Sequence, residues 1–391
     1  MVLRRRDLLK LAGISSFDLS SPIDHIQDQL FGRPPTTSLI SRWYSRSEIN
    51  IGWPPANVEP AEFMSPSYCP GNSGVADLTS IDISQLKLKE KSKVLSKTES
   101  WEVGDSAYLP GYPSVVKNNV GINPDGKFYI FYAVHDPPSG IACAISQNIT
   151  GPYIKRAIIN PDLIDSRVLV APVRPRGTSH FSSPVVIWNP ETSYWHMYFH
   201  FYRDEISRGL GQQKTALART RDLSSANWQI FSDESGDYIT PFLANHAWSN
   251  SQSSYHAVAR LPDGRWFALI RGVTINNQTS SLGFAGSLDG IRWTILPPEP
   301  SVTTNIARQV VKPVGIACVD GGAVQFIWAV YDKLRGDVKA YMAPPGALIA
   351  DRSKSFLEGW SPGDGAASFW RQDQELHVFS ANYRYVFSPQ L

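Results

Sequence analysis

The sequence lacks several features that would point to other classes of protein. Its 391 residues hold only three cysteines, Cys69, Cys143 and Cys318, and their wide spacing fits neither a disulfide framework nor a zinc motif. No stretch of about 20 apolar residues is present, so we expect no membrane-spanning segment. The formal net charge is only +2, and no long Lys/Arg block follows the first ten residues. We therefore expect no nucleic-acid partner.

Signatures of cofactor and metal chemistry are missing as well. The segment "GLGQQK" at residues 209–214 lacks the spacing of a phosphate-binding loop. His196 and His200 lie four residues apart on a predicted strand, which separates their side chains by about 13 Å, too far to share one ion. The sequence thus predicts no organic cofactor and no metal site.

The N-terminus carries a pattern for targeting. Residues 4–10, "RRRDLLK", resemble the twin-arginine export signal, in which two arginines are followed by any residue, two large apolar residues and lysine. We predict that residues 1–30 are an export signal and linker, and that the protein is periplasmic or extracellular. Residues 31–104 are rich in turn residues. We expect them to form an irregular segment that contributes strands to close the main domain.

From residue 105 to residue 391 one pattern recurs five times, about every 50–75 residues. An apolar strand is followed by a turn, an aromatic strand and a strand of small residues. The first copy reads "GYPSVVKN", "NPDGKFYIFYAV" and "GIACAISQNITGPY". Asp-Gly and Asn-Pro turns between alternating strands are typical of hairpins. The pattern predicts an all-β fold, namely a five-bladed β-propeller of four-stranded antiparallel blades.

The stretch "YWHMYFHFYRDE", residues 194–205, belongs to the second copy. Strand alternation places His196, Tyr198 and His200 on one face of this strand. Because propeller blades pack face to face, we expect both faces to be buried. Asp204 and Glu205 are predicted to follow the end of the strand in a loop at the mouth of the central funnel.

The strand series resembles a known group of enzymes. "DGKFYIFYAV" with "GIACAISQNITGPY", "WHMYFHFY" with "GQQKTALARTRDLSSANW", and "SLDGIRW" are similar to the five-bladed propeller glycoside hydrolases of family 43 and their relatives in family 32. The resemblance covers roughly residues 105–385. It implies a carbohydrate-active enzyme that works on an oligo- or polysaccharide at the axial funnel.

The same resemblance implies three carboxylates on the innermost strands of the first three blades, commonly just before a proline. Here Tyr112 precedes Pro113, and Ser183 precedes Pro184. In the third blade "SYHA", residues 254–257, stands where a glutamate is expected. No acid occupies these positions, so acid–base chemistry has to come from other residues.

Glycoside hydrolysis generally uses two carboxyl groups, one as acid and one as base or nucleophile. Asp136, Asp204 and Glu205 follow the predicted second strands of the first two blades, and we interpret them as the catalytic groups. The residues predicted to bind and orient the substrate lie on or beside innermost strands, or on the strand next to one: Tyr112, His180, Tyr255, His256 and Arg271.

Two alternatives stay open at this stage. The His and Tyr residues can serve as base and acid in β-elimination of a uronate polysaccharide, with Arg174, Arg176 or Arg271 neutralising the sugar carboxylate. The absence of the three expected acids also fits a propeller that binds sugars without cleaving them.

Overall fold

A computed structural model describes residues 70–103, 110–134, 139–155, 158–160, 163–171, 180–205, 210–225, 227–232, 238–242, 247–274, 279–296, 302–320, 323–344, 355–362 and 366–390. The predicted export signal lies outside these residues, as do Asp136, Arg174 and Arg176. The described part contains strands and short 3-10 turns but no α-helix, which confirms the all-β prediction. It contains no helix long and apolar enough to cross a membrane.

The chain forms five groups of strands, which we call modules 1 to 5. Two strands precede them, β1 (Val75–Asp77) and β2 (Leu86–Lys93). Module 1 contains β3 (Gly111–Lys117), β4 (Phe128–Val134), β5 (Gly140–Ser146), β6 (Ile154–Lys155), the hairpin of β7 (Ile158–Asn160) and β8 (Leu163–Asp165), and β9 (Arg167–Val170). Module 2 contains β10 (Phe181–Asn189), β11 (Tyr194–Glu205), β12 (Leu210–Thr220) and β13 (Gln229–Ile230).

The remaining modules follow the same order. Module 3 contains β14 (Gln252–Arg260), β15 (Trp266–Val273), β16 (Thr279–Ser287), β17 (Thr294–Leu296) and β18 (Val302–Asn305). Module 4 contains β19 (Gln309–Cys318), β20 (Val324–Asp332) and β21 (Asp337–Ala343). Module 5 contains β22 (Ala367–Gln372), β23 (Glu375–Ser380) and β24 (Tyr383–Pro389).

The first strands of the modules make a ring. Strand β3 contacts β10, β10 contacts β14, β14 contacts β19, β19 contacts β22, and β22 contacts β3. The first three strands of each module are joined in order by antiparallel hydrogen bonding. A parallel pair between Lys214 and Ser253 joins modules 2 and 3 into one sheet. Because these two modules share a sheet, the number of separate blades stays a prediction.

The two N-terminal strands complete modules formed much later in the chain. Strand β2 pairs antiparallel with β24 and forms the outer edge of module 5. Two of its lysines form ion pairs, Lys87 with Glu358 and Lys89 with Glu375, and lysines on an edge strand oppose pairing with other molecules. Strand β1 pairs with β19 in parallel. Module 4 therefore differs from the predicted purely antiparallel blade.

Strand β11 has both faces buried, as packing between modules demands. Trp195 and Phe199 on one face and His196 and Tyr198 on the other have no exposed surface. Burial lowers the pKa of His196 to about 3, and Arg219 adds to this shift. His196 is therefore neutral near pH 7 and serves packing.

The end of β11 differs from the expected loop. The strand continues to Glu205, which pairs with Leu210, and Asp204 pairs with Gly211. Both acids thus lie within the strand rather than beyond it. Their side chains fall outside the described part of the chain.

Candidate functional site

The first strands of the modules surround a narrow axial space, which we call the channel. Its lining includes Ser114, Val185, Val258, Gly315 and Ser368, one residue from each module. We call the end where these strands begin the mouth. The opposite end is the place where the N-terminal segment enters.

Residues 71–77, which we call the plug, occupy that opposite end. Asn72 donates from Nδ2 to the carbonyl of Lys117 and accepts from its N–H, each at 2.8 Å. Arg260 donates its backbone N–H to the carbonyl of Ser73 at 2.8 Å. Gly74 has φ +73°, and a Cβ there would lie 2.3 Å from the carbonyl oxygen of Val258. The plug therefore fits closely against modules 1 and 3, so we place the candidate site at the mouth.

Three consecutive modules carry the same backbone irregularity at the mouth. Tyr112, Ser183 and Tyr255 have φ of 56°, 50° and 54°, and each lies at a register shift between the first and second strands of its module. Bulges of this kind redirect a side chain. A non-glycine residue held in this region costs of order 1–3 kcal/mol, and such strain concentrates at functional sites. These are also the places where the sequence resemblance implies carboxylates.

The side chains at two of these bulges meet across the mouth. The rings of Tyr112 and Tyr255 lie 6.2 Å apart, and the ring of His200 lies 4.7 Å from that of Tyr255. Two cations flank Tyr255, with Arg271 Cζ at 5.2 Å and Lys312 Nζ at 4.8 Å from its ring centre. Together with a second histidine that contacts His200, these residues form what we call the mouth cluster: Tyr112, His180, His200, Tyr255, Arg271 and Lys312.

The two histidines of the cluster touch through their ring nitrogens. His180 Nε2 and His200 Nε2 are 3.1 Å apart, and the residues are only 5% and 0% exposed. In such a contact one nitrogen carries the proton and the other offers its lone pair. The pair is thus arranged to hold and transfer a proton beside Tyr255.

Arg271 is exceptional among the buried arginines. The described residues include four arginines that are less than 9% exposed, and three of them have a carboxylate partner: Arg167 with Asp165, Arg260 with Glu191, and Arg384 with Glu90. Arg271, at 8% exposure, instead donates from Nε to the hydroxyl of Ser280 at 3.3 Å. Burial lowers the pKa of Arg271, while Tyr255 and Tyr112 act in the opposite direction.

This arrangement determines what the mouth can bind. A buried cation without an anionic partner is costly, because the protein has removed it from water without compensation. Within the described residues Arg271 forms no ion pair, and it lies beside phenols rather than acids. The mouth is therefore complementary to a ligand that brings its own negative charge.

The structure brings together four of the five residues predicted to bind substrate, namely Tyr112, His180, Tyr255 and Arg271. The fifth, His256, lies in the channel wall and points towards module 2. Its Nδ1 is 3.3 Å from Thr215 Oγ1, and its ring packs near Tyr198 and Phe242. Burial lowers the pKa of His256 to about 4, so it is neutral near pH 7.

Sequence reasoning did not select two members of the cluster as site residues. His200 had a usable signal, because strand alternation places it near the mouth end of β11. Lys312 had none, since it is one of many lysines. It joins the cluster only because β19 lies beside β14 in the ring.

The mouth cluster contains no Asp or Glu among the side chains that the structure describes. Asp332, at the end of β20, accepts at Oδ1 from the backbone N–H groups of Leu334 and Arg335 and so forms a turn. No group of three or more His, Cys, Asp or Glu side chains among the described residues is arranged to hold a metal ion.

Comparisons with known proteins give likeness of fold only. No protein-family model matches the sequence, and no curated protein is similar to it. One similar solved structure is a glycoside hydrolase, with 13% identity over 78% of this chain and 92% of that chain and a TM-score of 0.47. Another is an exo-β-1,3-galactanase from Phanerochaete chrysosporium, with 13% identity, coverage of 72% and 62%, and a TM-score of 0.43.

A third similar structure comes from the GH130 family of mannoside phosphorylases, which contains glycoside hydrolases that target β-1,2 mannosidic linkages in Candida mannan. It shows 12% identity over 77% of this chain and 93% of that chain, with a TM-score of 0.49. At these low identities and TM-scores the likenesses assign neither a substrate nor a reaction to this chain.

Proposed function

We propose that the protein is a carbohydrate-active enzyme that cleaves a uronate-containing glycan by β-elimination at the mouth cluster. The observation that supports this most directly is Arg271, a buried guanidinium that faces two tyrosines and lacks a carboxylate partner among the described residues. A sugar carboxylate would supply the missing negative charge through charge-assisted hydrogen bonds. Export, as the N-terminal pattern predicts, would bring the enzyme to extracellular glycans.

The chemistry of elimination matches the groups present. Binding of the carboxylate by Arg271 and Lys312 neutralises its charge and makes the proton on the adjacent C5 easier to remove. The His180–His200 pair accepts that proton, because a neutral imidazole is an effective base near pH 7. The C4–O4 bond then breaks, a C4–C5 double bond forms, and the leaving oxygen takes a proton.

On this proposal Tyr255 donates this last proton. Its ring lies between the histidine pair and the two cations. Tyr112 faces it across the mouth and orients the sugar.

The test is to identify the products. The protein is incubated with polyuronates and with matched neutral polysaccharides, and absorbance in the near ultraviolet and product masses are recorded. We expect cleavage of polyuronates alone, with unsaturated ends that absorb and fragment masses that contain no added water. Fragments that have gained water and do not absorb would reject elimination.

Hydrolysis is the second candidate, and one observation favours it. Strand β11 carries Asp204 and Glu205 beyond His200, towards the mouth, and Asp136 is a further candidate acid. On this proposal Glu205→Gln abolishes activity without altering the melting temperature. Unchanged turnover in that variant would eliminate the assignment. A protein that binds glycans but releases no fragments on long incubation would instead be a noncatalytic sugar-binding protein.

A further inference from the structure

Ser280, on β16, uses its full hydrogen-bonding capacity between two modules. Its hydroxyl accepts from Arg271 Nε at 3.3 Å and from the backbone N–H of Val311 at 3.3 Å, and donates to the carbonyl of Val311 at 3.2 Å. A serine hydroxyl has one donor and two acceptor sites, and all three are taken. The side chain has no exposed surface.

This saturation fixes two positions at once. Val311 directly precedes Lys312 on β19, so its bonds to the Ser280 hydroxyl position the backbone next to Lys312. The same hydroxyl also orients the side chain of Arg271. Thr304 also connects β16 with β19, because its hydroxyl lies 3.1 Å from the carbonyl of Ser280 and 2.9 Å from that of Gln309. The separation of Arg271 and Lys312 around Tyr255 is thereby set across the contact of modules 3 and 4.

The neutral character of this partner matters for the charge of Arg271. A carboxylate at the same place would neutralise the guanidinium, as Glu191 neutralises Arg260. A hydroxyl orients Nε and leaves the positive charge uncompensated. The two terminal nitrogens are then available for the two oxygens of a carboxylate.

We infer that Ser280 is a positioning residue that sets Arg271 and Lys312 as one site for the carboxylate of a uronic acid. This inference rests on the proposed function, and it adds the residue that determines preference for charged over neutral sugars. Ser280 acts through Arg271 and does not contact the substrate.

The neighbouring serine provides a matched control. Ser281 is equally buried and follows Ser280 on β16, but its side chain projects to the other side of the strand. Its hydroxyl lies 3.0 Å from Thr303 Oγ1. Ser280→Ala and Ser281→Ala thus remove the same atom from adjacent buried positions, and only the first affects Arg271.

The experiment measures binding of D-glucuronate and D-galacturonate, and of glucose and galactose, by calorimetry. The proteins are the full chain, Ser280→Ala and Ser281→Ala. Loss of a hydrogen bond to a charged group predicts that Ser280→Ala binds the uronates about tenfold more weakly. We expect its binding of the neutral sugars to be unchanged, and Ser281→Ala to match the parent protein.

A second variant pair separates positioning from folding. Arg271→Lys keeps the charge but removes Nε, so adding Ser280→Ala to it removes only the contribution that acts through Lys312 and costs less uronate affinity than Ser280→Ala costs the parent protein. Ser280→Cys keeps nearly the same volume and bonds only weakly, and it replaces Ser280→Ala if that variant does not fold. We expect it to lose several-fold in uronate binding.

The outcomes distinguish this inference from the proposed function. If the parent protein prefers uronates and the Ser280 variants keep that preference, the role of Ser280 is overturned and the proposed function stands. If the parent protein shows no preference for uronates, both fall. Equal losses in Ser280→Ala and Ser281→Ala would also overturn the inference, because they would indicate a general effect on packing.

Discussion

Two buried arginines of module 3 show how differently the two ends of the channel are built. Arg260, near the plug, is 2% exposed and forms an ion pair with Glu191, with Nε donating to Oε1 at 2.8 Å. Arg271, at the mouth, is 8% exposed, and among the described residues its hydrogen-bond partner is the neutral hydroxyl of Ser280. A buried charge that is paired within the protein serves the structure, whereas one that lacks a partner is available to a ligand.

The backbone follows the same division. At the plug end, Asn72 and Ser73 satisfy backbone groups of the ring through hydrogen bonds. At the mouth, Tyr112, Ser183 and Tyr255 hold left-handed conformations that cost free energy. At the plug end polar groups are paired within the protein, whereas the mouth retains backbone strain and an arginine that has no carboxylate partner among the described residues.

The largest expected effect concerns the plug end. Glu191→Ala leaves Arg260 buried and unpaired, which should lower the free energy of unfolding by roughly 3–5 kcal/mol. Denaturant titration measures it. Glu358→Ala is the control, because its ion pair with Lys87 is exposed and such pairs contribute about 0–1 kcal/mol. A loss no larger than that of the control would show that burial of the Arg260 pair is unimportant.

At the mouth, removal of a charged side chain should not lower stability, in contrast to its removal at the plug end. Arg271→Met removes an unpaired buried charge, so we expect an unchanged or higher melting temperature together with a fall of about 100-fold or more in kcat/KM on a polyuronate. Thermal unfolding and initial rates test both. If the variant is destabilised by several kcal/mol while its activity persists, Arg271 is a structural residue like Arg260.

His256, in the channel wall between the two ends, is predicted to make the stability of the protein depend on pH. His256 has a folded pKa of about 4 against an ordinary 6.5, so the unfolded chain binds a proton first as the pH falls. Its contribution to stability is complete above pH 6.5 and is lost progressively towards pH 4. Between pH 7.5 and pH 5 this amounts to about 2 kcal/mol.

Unfolding experiments over this pH range, with His256→Asn as the comparison, measure the effect. Asparagine does not titrate there, so the variant should lose less stability on acidification. Parallel curves for the two proteins would refute the assignment to His256.

An effect on stability of similar size is expected at the plug. Gly74→Ala introduces a Cβ 2.3 Å from the carbonyl of Val258, at a residue with φ +73°, and should cost about 1–3 kcal/mol. Gly126→Ala is a useful control because it has a similar φ of +72° but open space around it. Equal losses would show that backbone conformation, rather than close packing of the plug, determines the cost.

The fold was more accessible from sequence than the site. Period-two alternation and recurring turns were sufficient to predict an all-β protein and to place Tyr112, His180, Tyr255 and Arg271 near one channel. Strand β2 was harder to recognise, since its alternating Leu and Lys also fit a solvated segment. Its pairing with β24 depends on a partner nearly 300 residues away.

No local sequence pattern predicts that Arg271, unlike Arg260, has no carboxylate partner among the described residues. Arg260 and Arg271 have similar strand contexts, and only the fold determines that Glu191 reaches one of them. The role of Lys312 likewise depends on how modules 3 and 4 meet. Such juxtapositions arise from long-range contacts, which composition and spacing do not encode.

The pairing of β2 with β24 has a consequence for how the molecule is made. The two partners are nearly 300 residues apart along the chain, so β2 is synthesised well before the strand with which it pairs. Until β24 is available, the backbone N–H and C=O groups on one edge of β2 lack their partners from that strand. Contacts so distant along the chain form slowly. We therefore expect this edge of β2 to need protection until β24 has been made and pairs with it.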